Sequence, residues 1–508
     1  MKRSALLLAF VLVLFSLPAF GAGRYATSDI PLTNRYFYRL AERSMAVNPS
    51  IHYTDNFKPV SVREAEVLFS NSKEMRDLFG NEEDTEEFAR KAGKYYGTDE
   101  FGKSGFRFIP VREITLKNRY VSDEGMQVTG DFGEDTGDDV FNRASLSGSV
   151  YLTNFLSADY TLGVYRNSDE TEVEIERAKF KLAGKHNAYV GAIDNLQIGP
   201  GYFGQLIMSD NIRPQKFAMI KTELPYNWGF LGQFRYYIFN FWFDDDDRKN
   251  KDPQLIGIRF SLKPADWLEL AVSRASFYGG SEMPSYGLSD YWDMLTAKDE
   301  NSGTEHDTDQ FLGAEMSVYL PLLKKTGILK GGKLYVEYNW NDIVAPWQTE
   351  DKGKSLKLLG ESYIYGLFLT TGKTDFRFET ARISRSTYLH VNYIPEGYSV
   401  EDYIIGHQLG KDNEGYYFEI YTELNDKVHP YFKASYVKKG TRNSAVKQKE
   451  QQYSAGAEVF IGSDYELNAF VRYIKQDKED MDDRLFYYDF SGSSVKNYIA
   501  GFDLKYIF

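Results

Sequence analysis

The side chains best able to do chemistry in this chain are its histidines, its carboxylate runs and a few arginines, and their spacing argues against an enzyme. The six histidines are His52, His186, His306, His390, His407 and His429. None begins an HExxH pattern, which would put two imidazoles and a general base on one helix face. No GxSxG turn presents a nucleophilic serine. His306-Asp307 is the one pair resembling an acid–base dyad, and it sits in the polar stretch from Glu300 to Asp309, which reads as a solvated loop. With no cysteine and no histidine pair at ligand spacing, no transition-metal site is recognisable. Asp244-Asp245-Asp246-Asp247 offers oxygens to a hard cation, but Arg248 and Lys249 follow at once, and a charged surface loop is the simpler reading. The expectation is a protein with no catalytic residue, no metal and no cofactor.

Recognition is better supported than catalysis. Gly199-Pro200-Gly201 interrupts any strand, because glycine admits positive φ and proline has no N–H. Tyr202 follows directly, and Asn211, Arg213 and Pro214 bring amide and guanidinium donors close to the break. The segment is either a tight turn or an element folded inward to line or constrict a lumen. Tyr278, Tyr286, Tyr291 and Trp292 form a second group, suited to stacking on sugar rings or to an aromatic girdle at a membrane interface.

The elements that must position these groups alternate with period two. At the C-terminus Tyr498, Ala500, Phe502, Leu504, Tyr506 and Phe508 fall on one face, and Asn497, Asp503 and Lys505 on the other. Ala178, Phe180 and Leu182 alternate with Lys179 and Lys181, and the run from Tyr465 to Tyr473 behaves alike. Polar stretches at Asp123 to Asp139, Asp244 to Asp252, Lys298 to Asp309, Asn443 to Gln452 and Lys475 to Asp483 read as long connections. Aromatic residues make up 16% of 508, an aromatic abundance that suits a barrel whose apolar outer face alternates with a polar lumen. Roughly 400 residues at about 22 per strand and connection predict on the order of 18 antiparallel strands, with 16 also compatible. The net charge of −13 argues against a nucleic-acid partner, and the lack of cysteine excludes a disulfide framework.

The N-terminal part has a different texture. Met1-Lys2-Arg3, the apolar run Ala5 to Leu17 and the small-x-small site Ala19-Phe20-Gly21 predict a signal peptide over 1–21. Residues 22–105 predict a small helical segment. One helix carries Phe37, Leu40, Ala41 and Met45, and a second is opened by the capping box Ser61 to Glu64. A third short helix is predicted from Asp84 to Ala92. Residues 106–508 form the barrel.

The segment from Leu196 to Pro214 resembles the glycine-proline-glycine, Ser-x-Asn-x-Arg-Pro signature of the Wzi-type capsule assembly family. Similarity continues through Arg259, Pro264, Trp267-Leu268-Glu269, Ser273-Arg274, Gly279-Gly280, Tyr338, Asn341-Asp342 and Asp375 to Glu379. It extends through His390, Tyr393, Gly397-Tyr398, Gly406-His407 and Gly410 to Asp412, and also touches Asp29-Ile30-Pro31-Leu32. The resemblance implies a barrel of the cell outer membrane with a periplasmic helical bundle plugging or bracing its inner end. It implies a lectin-like role in attaching extracellular polysaccharide, usually capsule, to the cell surface. The terminal Phe508 similarly resembles the aromatic end by which the barrel assembly machinery selects its clients, and outer-membrane lipid is the surrounding partner. Among the motif residues, Gly199, Pro200, Gly201, Tyr202, Asn211, Arg213, Pro214, Ser273, Arg274, His407 and Asp412 are the candidates for lining the lumen or touching glycan. The alternative is a porin or specific sugar channel, and what separates the two is whether the lumen is closed. Acidic loops would repel an acidic capsule, so the glycan is neutral, cations bridge it, or another surface binds it.

Overall fold

The computed structural model describes residues 28–50, 52–70, 106–122, 132–133, 140–153, 155–166, 171–245, 248–295, 308–344, 357–441, 447–480 and 494–508. Eighteen antiparallel strands, from Arg107–Val121 to Ser494–Ile507, close into one barrel in sequence order. The last strand pairs with the first, from Glu113 opposite Ile507 to Val121 opposite Ile499, which leaves no unpaired edge for lipid to meet.

The wall is inverted relative to a soluble sheet. Lys179 and Lys181 of the strand Thr171–Ala183 are buried inside, while Phe180 between them is exposed outside. Arg259 and Lys263 of Gln254–Ala265 point inward and Phe260 outward. Arg235, Arg248, Arg259 and Arg377 are among the largest fully buried side chains. Aromatic rows bound the outer face. Tyr465, Tyr506 and Phe508 pack together near one rim, and Tyr473 packs on Tyr498 toward the other. Tyr465 and Tyr473 are eight residues apart on one strand. That is about 26 Å along the chain, or roughly 20 Å of height once tilted, comparable to the apolar band of a membrane barrel. No described helix is long and apolar enough to cross a membrane.

Connections differ between the two ends. One end has tight turns such as 184–186, 266–267, 371–373 and 462–464, and the other has long segments including 195–214 and 384–412. Two of the polar stretches expected to be connections are instead strand. Lys447–Ile461 takes in 447–452 of the first of them, Asn443 to Gln452, and Tyr465–Asp480 takes in 475–480 of the second, Lys475 to Asp483. These strands extend beyond the apolar band, where both faces meet polar surroundings, so hydrophobic alternation no longer marks them.

Two of the predicted helices form, α1 (Arg35–Val47) and α2 (Val62–Ser70). The capping box is reciprocal: the Ser61 amide donates to Glu64 Oε2 at 2.9 Å, and the Glu64 amide donates to Ser61 Oγ at 3.1 Å. The predicted third helix, the signal peptide and the His306-Asp307 pair lie outside the described residues.

Candidate functional site

The lumen is filled from both ends. At the short-connection end, residues 28–70 insert among the inward-facing side chains of the wall. This is deeper than a bundle resting against the barrel end. Asp29 is the anchor on one side, with Lys181 Nζ at 2.6 Å, Lys221 Nζ at 3.0 Å and Lys179 Nζ at 3.6 Å. Burial alone would raise its carboxyl, but Lys181, Lys221 and Lys179 outweigh that and hold it well below the ordinary carboxylate range. On the opposite side α1 presents Arg39, Glu42 and Arg43. Arg43 forks onto Asp375 at 2.9 and 3.0 Å, and also pairs with Glu423. Glu42 receives both terminal nitrogens of Arg377. Asp55 accepts from Lys333 at 2.9 Å and from the Tyr319 hydroxyl at 2.6 Å. Buried charges of this kind persist only when paired, so each wall charge selects a partner on the plug.

From the long-connection end, 195–214 and 384–412 fold inward; 195–214 meets the plug, and 384–412 packs on 195–214. The sharper reading of the Gly-Pro-Gly segment therefore describes its position. Gly199 has φ +134°, and a side chain there would run into the Glu337 carboxylate. Its amide donates to the Asn56 carbonyl of the plug at 2.9 Å, beside the two-residue ladder that pairs Phe57 with Ile198. Pro200 and Gly201 are buried, and a side chain on Gly201 would strike the Gly204 carbonyl. Tyr202 joins three elements. Its hydroxyl donates to Glu419 at 2.9 Å and accepts from Arg39 at 3.0 Å, and the Arg377 guanidinium lies 3.8 Å from its ring centre.

Two wall carboxylates hold this segment by its backbone: Glu379, which the sequence placed in a family-like stretch but not among the candidates, and Glu337, which it did not single out. Glu379 accepts the Tyr202 and Phe203 amides at 2.8 and 3.1 Å, and Glu337 accepts the Leu206 amide at 2.7 Å. Their inward-facing register was the available signal, because a carboxylate inside a barrel needs donors and an interrupted strand supplies free amides. Asn211 donates to the Ile404 carbonyl at 3.0 Å, and Ser209 binds both Ile405 and Gly406. The two inward segments are thus stitched to each other.

His407 sits under Gly204, with its Nδ1 accepting the Leu409 amide at 3.1 Å. Burial pushes its imidazole down to about 3 from an ordinary 6.5. An opened state therefore binds a proton that the packed state refuses. The packing is fully stable above about pH 6.5 and weakens as pH falls toward 3, by up to about 2 kcal/mol at pH 5. Hydrogen exchange of the amides at 204–212, corrected for intrinsic rate, is expected to be faster at pH 5 than at pH 7.5. His407→Gln should remove that dependence, and equal protection of the wild type at both pH values would contradict it.

The other candidates are dispersed. Arg213 lies at the rim, with guanidinium nitrogens 3.7 Å from both Glu174 and Glu401 and its plane over Tyr165. Pro214 leads from it into the strand Gln215–Thr222. Asp412 has φ +58° and accepts the Thr441 amide at 2.9 Å, which fixes a turn. Ser273 faces the lumen beside Arg259, but adjacent Arg274 faces the other way and donates to the Met294 carbonyl at 3.4 Å. Alternation forbids two neighbours on a strand from lining one lumen. Tyr278 is buried, hydrogen-bonded to Asn240 and Gln254, and packed edge-on by Tyr286 and Tyr291, so its ring is not open for stacking. The acidic run is not simply solvated either. Asp245 accepts the Glu401 amide at 2.9 Å, and Arg248 is buried against the carbonyls of Gly397 and Ser399. Among the described residues no group of three or more His, Asp or Glu side chains converges as a metal cage would.

Along the closing seam a cavity of about 190 Å³ remains between plug and wall, lined by Ser145, Ser147, Thr161, Asp159, Arg177 and Asn468 among others. A space of that size, with these polar groups on its wall, has room for on the order of a dozen waters.

Residues 115–486 match the family described as capsule assembly protein Wzi. A 119-residue stretch is 34% identical to an uncharacterised 55.8 kDa protein of the cps region of Klebsiella pneumoniae. That match spans 22% of this chain and 22% of the relative's length. The fold is similar to that of Wzi of Escherichia coli, described as a carbohydrate-binding outer-membrane barrel involved in group 1 capsule assembly. The TM-score is 0.66 at 16% identity, covering 94% of this chain and 99% of that one. OprD of Pseudomonas aeruginosa is similar at a TM-score of 0.45 and 11% identity, over 79% of this chain and 94% of that one.

Proposed function

We propose that this chain, which belongs to the Wzi family of capsule assembly proteins, holds extracellular polysaccharide at the outer surface of the outer membrane and performs no chemistry on it. The family match over 115–486 carries this reading. The filled lumen supports it: a plug tied to the wall by buried ion pairs, with one inward segment stacked on it and a second packed on the first, suits a rigid platform better than a passage for sugars. Short turns and the plug face the periplasm, the side from which an exported chain whose leader has been removed enters the membrane. The glycan meets the long connections around Arg213, whose pairing at 3.7 Å is loose enough to exchange for a ligand hydroxyl or carboxylate.

A strain lacking the protein should synthesise and export its polysaccharide but release it into the medium, because what is lost is retention. The expected result is a several-fold fall in cell-associated polysaccharide with an unchanged total. Equal partition in the deletion strain and its parent would overturn the reading. Arg213→Ala is expected to shed glycan from a barrel of normal heat-modifiable mobility if Arg213 touches it.

A further inference from the structure

The outer face of the barrel near the long-connection end carries a charge arrangement that sheet stability disfavours. Lys438 lies directly opposite Lys449 on the neighbouring strand, and Lys475 lies directly opposite Lys496. Like charges facing each other across an antiparallel pair are destabilising. Here two such pairs stand on adjacent strands of a chain whose net charge is −13. All four lysines are in the outward register. They share the outer faces of their strands with Tyr436, Tyr453, Tyr473 and Tyr498, and lie two to four residues beyond those rings toward the long connections. The tyrosines run side by side: Tyr416 opposite Tyr436, Tyr453 opposite Tyr473, and Tyr473 opposite Tyr498. A cation row thus stands just above an aromatic row, at the height where the apolar band ends and lipid headgroups begin.

Nearby acids only partly offset the row. Asp477 bonds Lys475 at 2.6 Å and lies opposite Lys449, and Glu414 lies opposite Lys438. Lys438 Nζ sits over the Tyr416 and Tyr436 rings at 5.7 and 5.8 Å, so its stem lies along the wall. Among the described side chains of the row, the four lysines face these two carboxylates, which leaves it positive where it faces sideways into the membrane.

We propose that Lys438, Lys449, Lys475 and Lys496 bind the phosphate groups of a phosphorylated glycolipid in the outer leaflet, with its sugar and upper acyl segments against Tyr416, Tyr436, Tyr453, Tyr473 and Tyr498. Continuity with the lipid-facing wall favours lipid over free polysaccharide, and charge complementarity explains why paired lysines stand where neutral residues would make a stabler sheet. The inference rests on the barrel spanning an outer membrane, and not on which glycan the long connections hold.

The test is native mass spectrometry of the full-length protein in phosphatidylcholine nanodiscs containing either bisphosphorylated or fully dephosphorylated lipid A. The wild type is expected to retain the phosphorylated form at least tenfold better. The variant carrying Lys438→Gln, Lys449→Gln, Lys475→Gln and Lys496→Gln should retain both forms equally, with unchanged heat-modifiable mobility. Should that variant fail to assemble, the two double variants, one for each facing pair, are each expected to lose part of the preference. Equal retention of the two lipids by the wild type, or an undiminished preference in the variants, would overturn the proposal. So would lysine-dependent binding of free acidic polysaccharide in discs without lipid A. Capsule shedding is scored separately on cells, so failure of the retention reading leaves this measurement interpretable.

Discussion

Replacing Asp29 by alanine is expected to unseat the plug and convert a closed barrel into a conducting one. Its carboxylate neutralises Lys181, Lys221 and Lys179 at 2.6, 3.0 and 3.6 Å, and none of these side chains is more than 8% exposed. Once it is gone, Lys181 keeps Glu223 at 2.8 Å and Lys179 keeps Asp194 at 2.7 Å, but Asp194 also serves Arg177 at 3.3 Å, so four cations face two anions. Removing one partner from a buried charge cluster costs about 3–5 kcal/mol. The wall has a cheaper escape: residues 28–34 leave and water enters beside the existing seam cavity. Single-channel recording in a planar bilayer should show large, long-lived openings in Asp29→Ala that are rare in the wild type. Restoring the charge balance with Asp29→Ala/Lys221→Met should suppress them. Identical traces for wild type and Asp29→Ala would mean that the plug is held by apolar packing around Phe37, Leu40 and Met45.

The second large effect is expected at Glu379. One carboxylate accepts the Tyr202 amide at 2.8 Å, the Phe203 amide at 3.1 Å and the Tyr335 hydroxyl at 2.7 Å. Hydrogen bonds to a charged acceptor are worth about 1.5–3 kcal/mol each, and buried donors left unpaired add their own cost. Glu379→Ala should therefore loosen 199–206 by several kcal/mol, enough to populate a released segment. Glu379→Gln keeps an acceptor and should fall between Ala and wild type. Glu337→Ala, which frees the single Leu206 amide, should do less than Glu379→Ala. Limited proteolysis of intact cells reads this directly, with new cleavage expected between 199 and 214 in Glu379→Ala. Resistance equal to the wild type would show that the stitching of Ser209 and Asn211 to 404–406 suffices alone.

Much of the architecture was determined locally and could be read without coordinates. The alternation of Phe180 with Lys179 and Lys181, or of Tyr498 to Phe508 with Asn497 to Lys505, fixes which face meets lipid, because side-chain direction in a strand depends only on parity. Ser61 and Glu64 cap a helix through their own backbone, three residues apart. Gly199-Pro200-Gly201 announces a break whatever surrounds it. The family likeness rested on such local motifs.

The partners of those motifs were decided only by tertiary structure. Glu337 and Glu379 meet the Gly199 segment from 131 to 177 residues away in the chain, and Asp29 meets Lys181 across 152. Asn211 finds Ile404, and His407 comes to rest beneath Gly204. The same distinction separates Ser273 from Arg274, neighbours in a motif but on opposite faces of the wall. It also brings Lys438 against Lys449 and Lys475 against Lys496. A strand carries its own parity, but its register against the next strand, and the ion pairs inside a closed lumen, exist only once eighteen strands have met and a plug has matched the charges they turn inward.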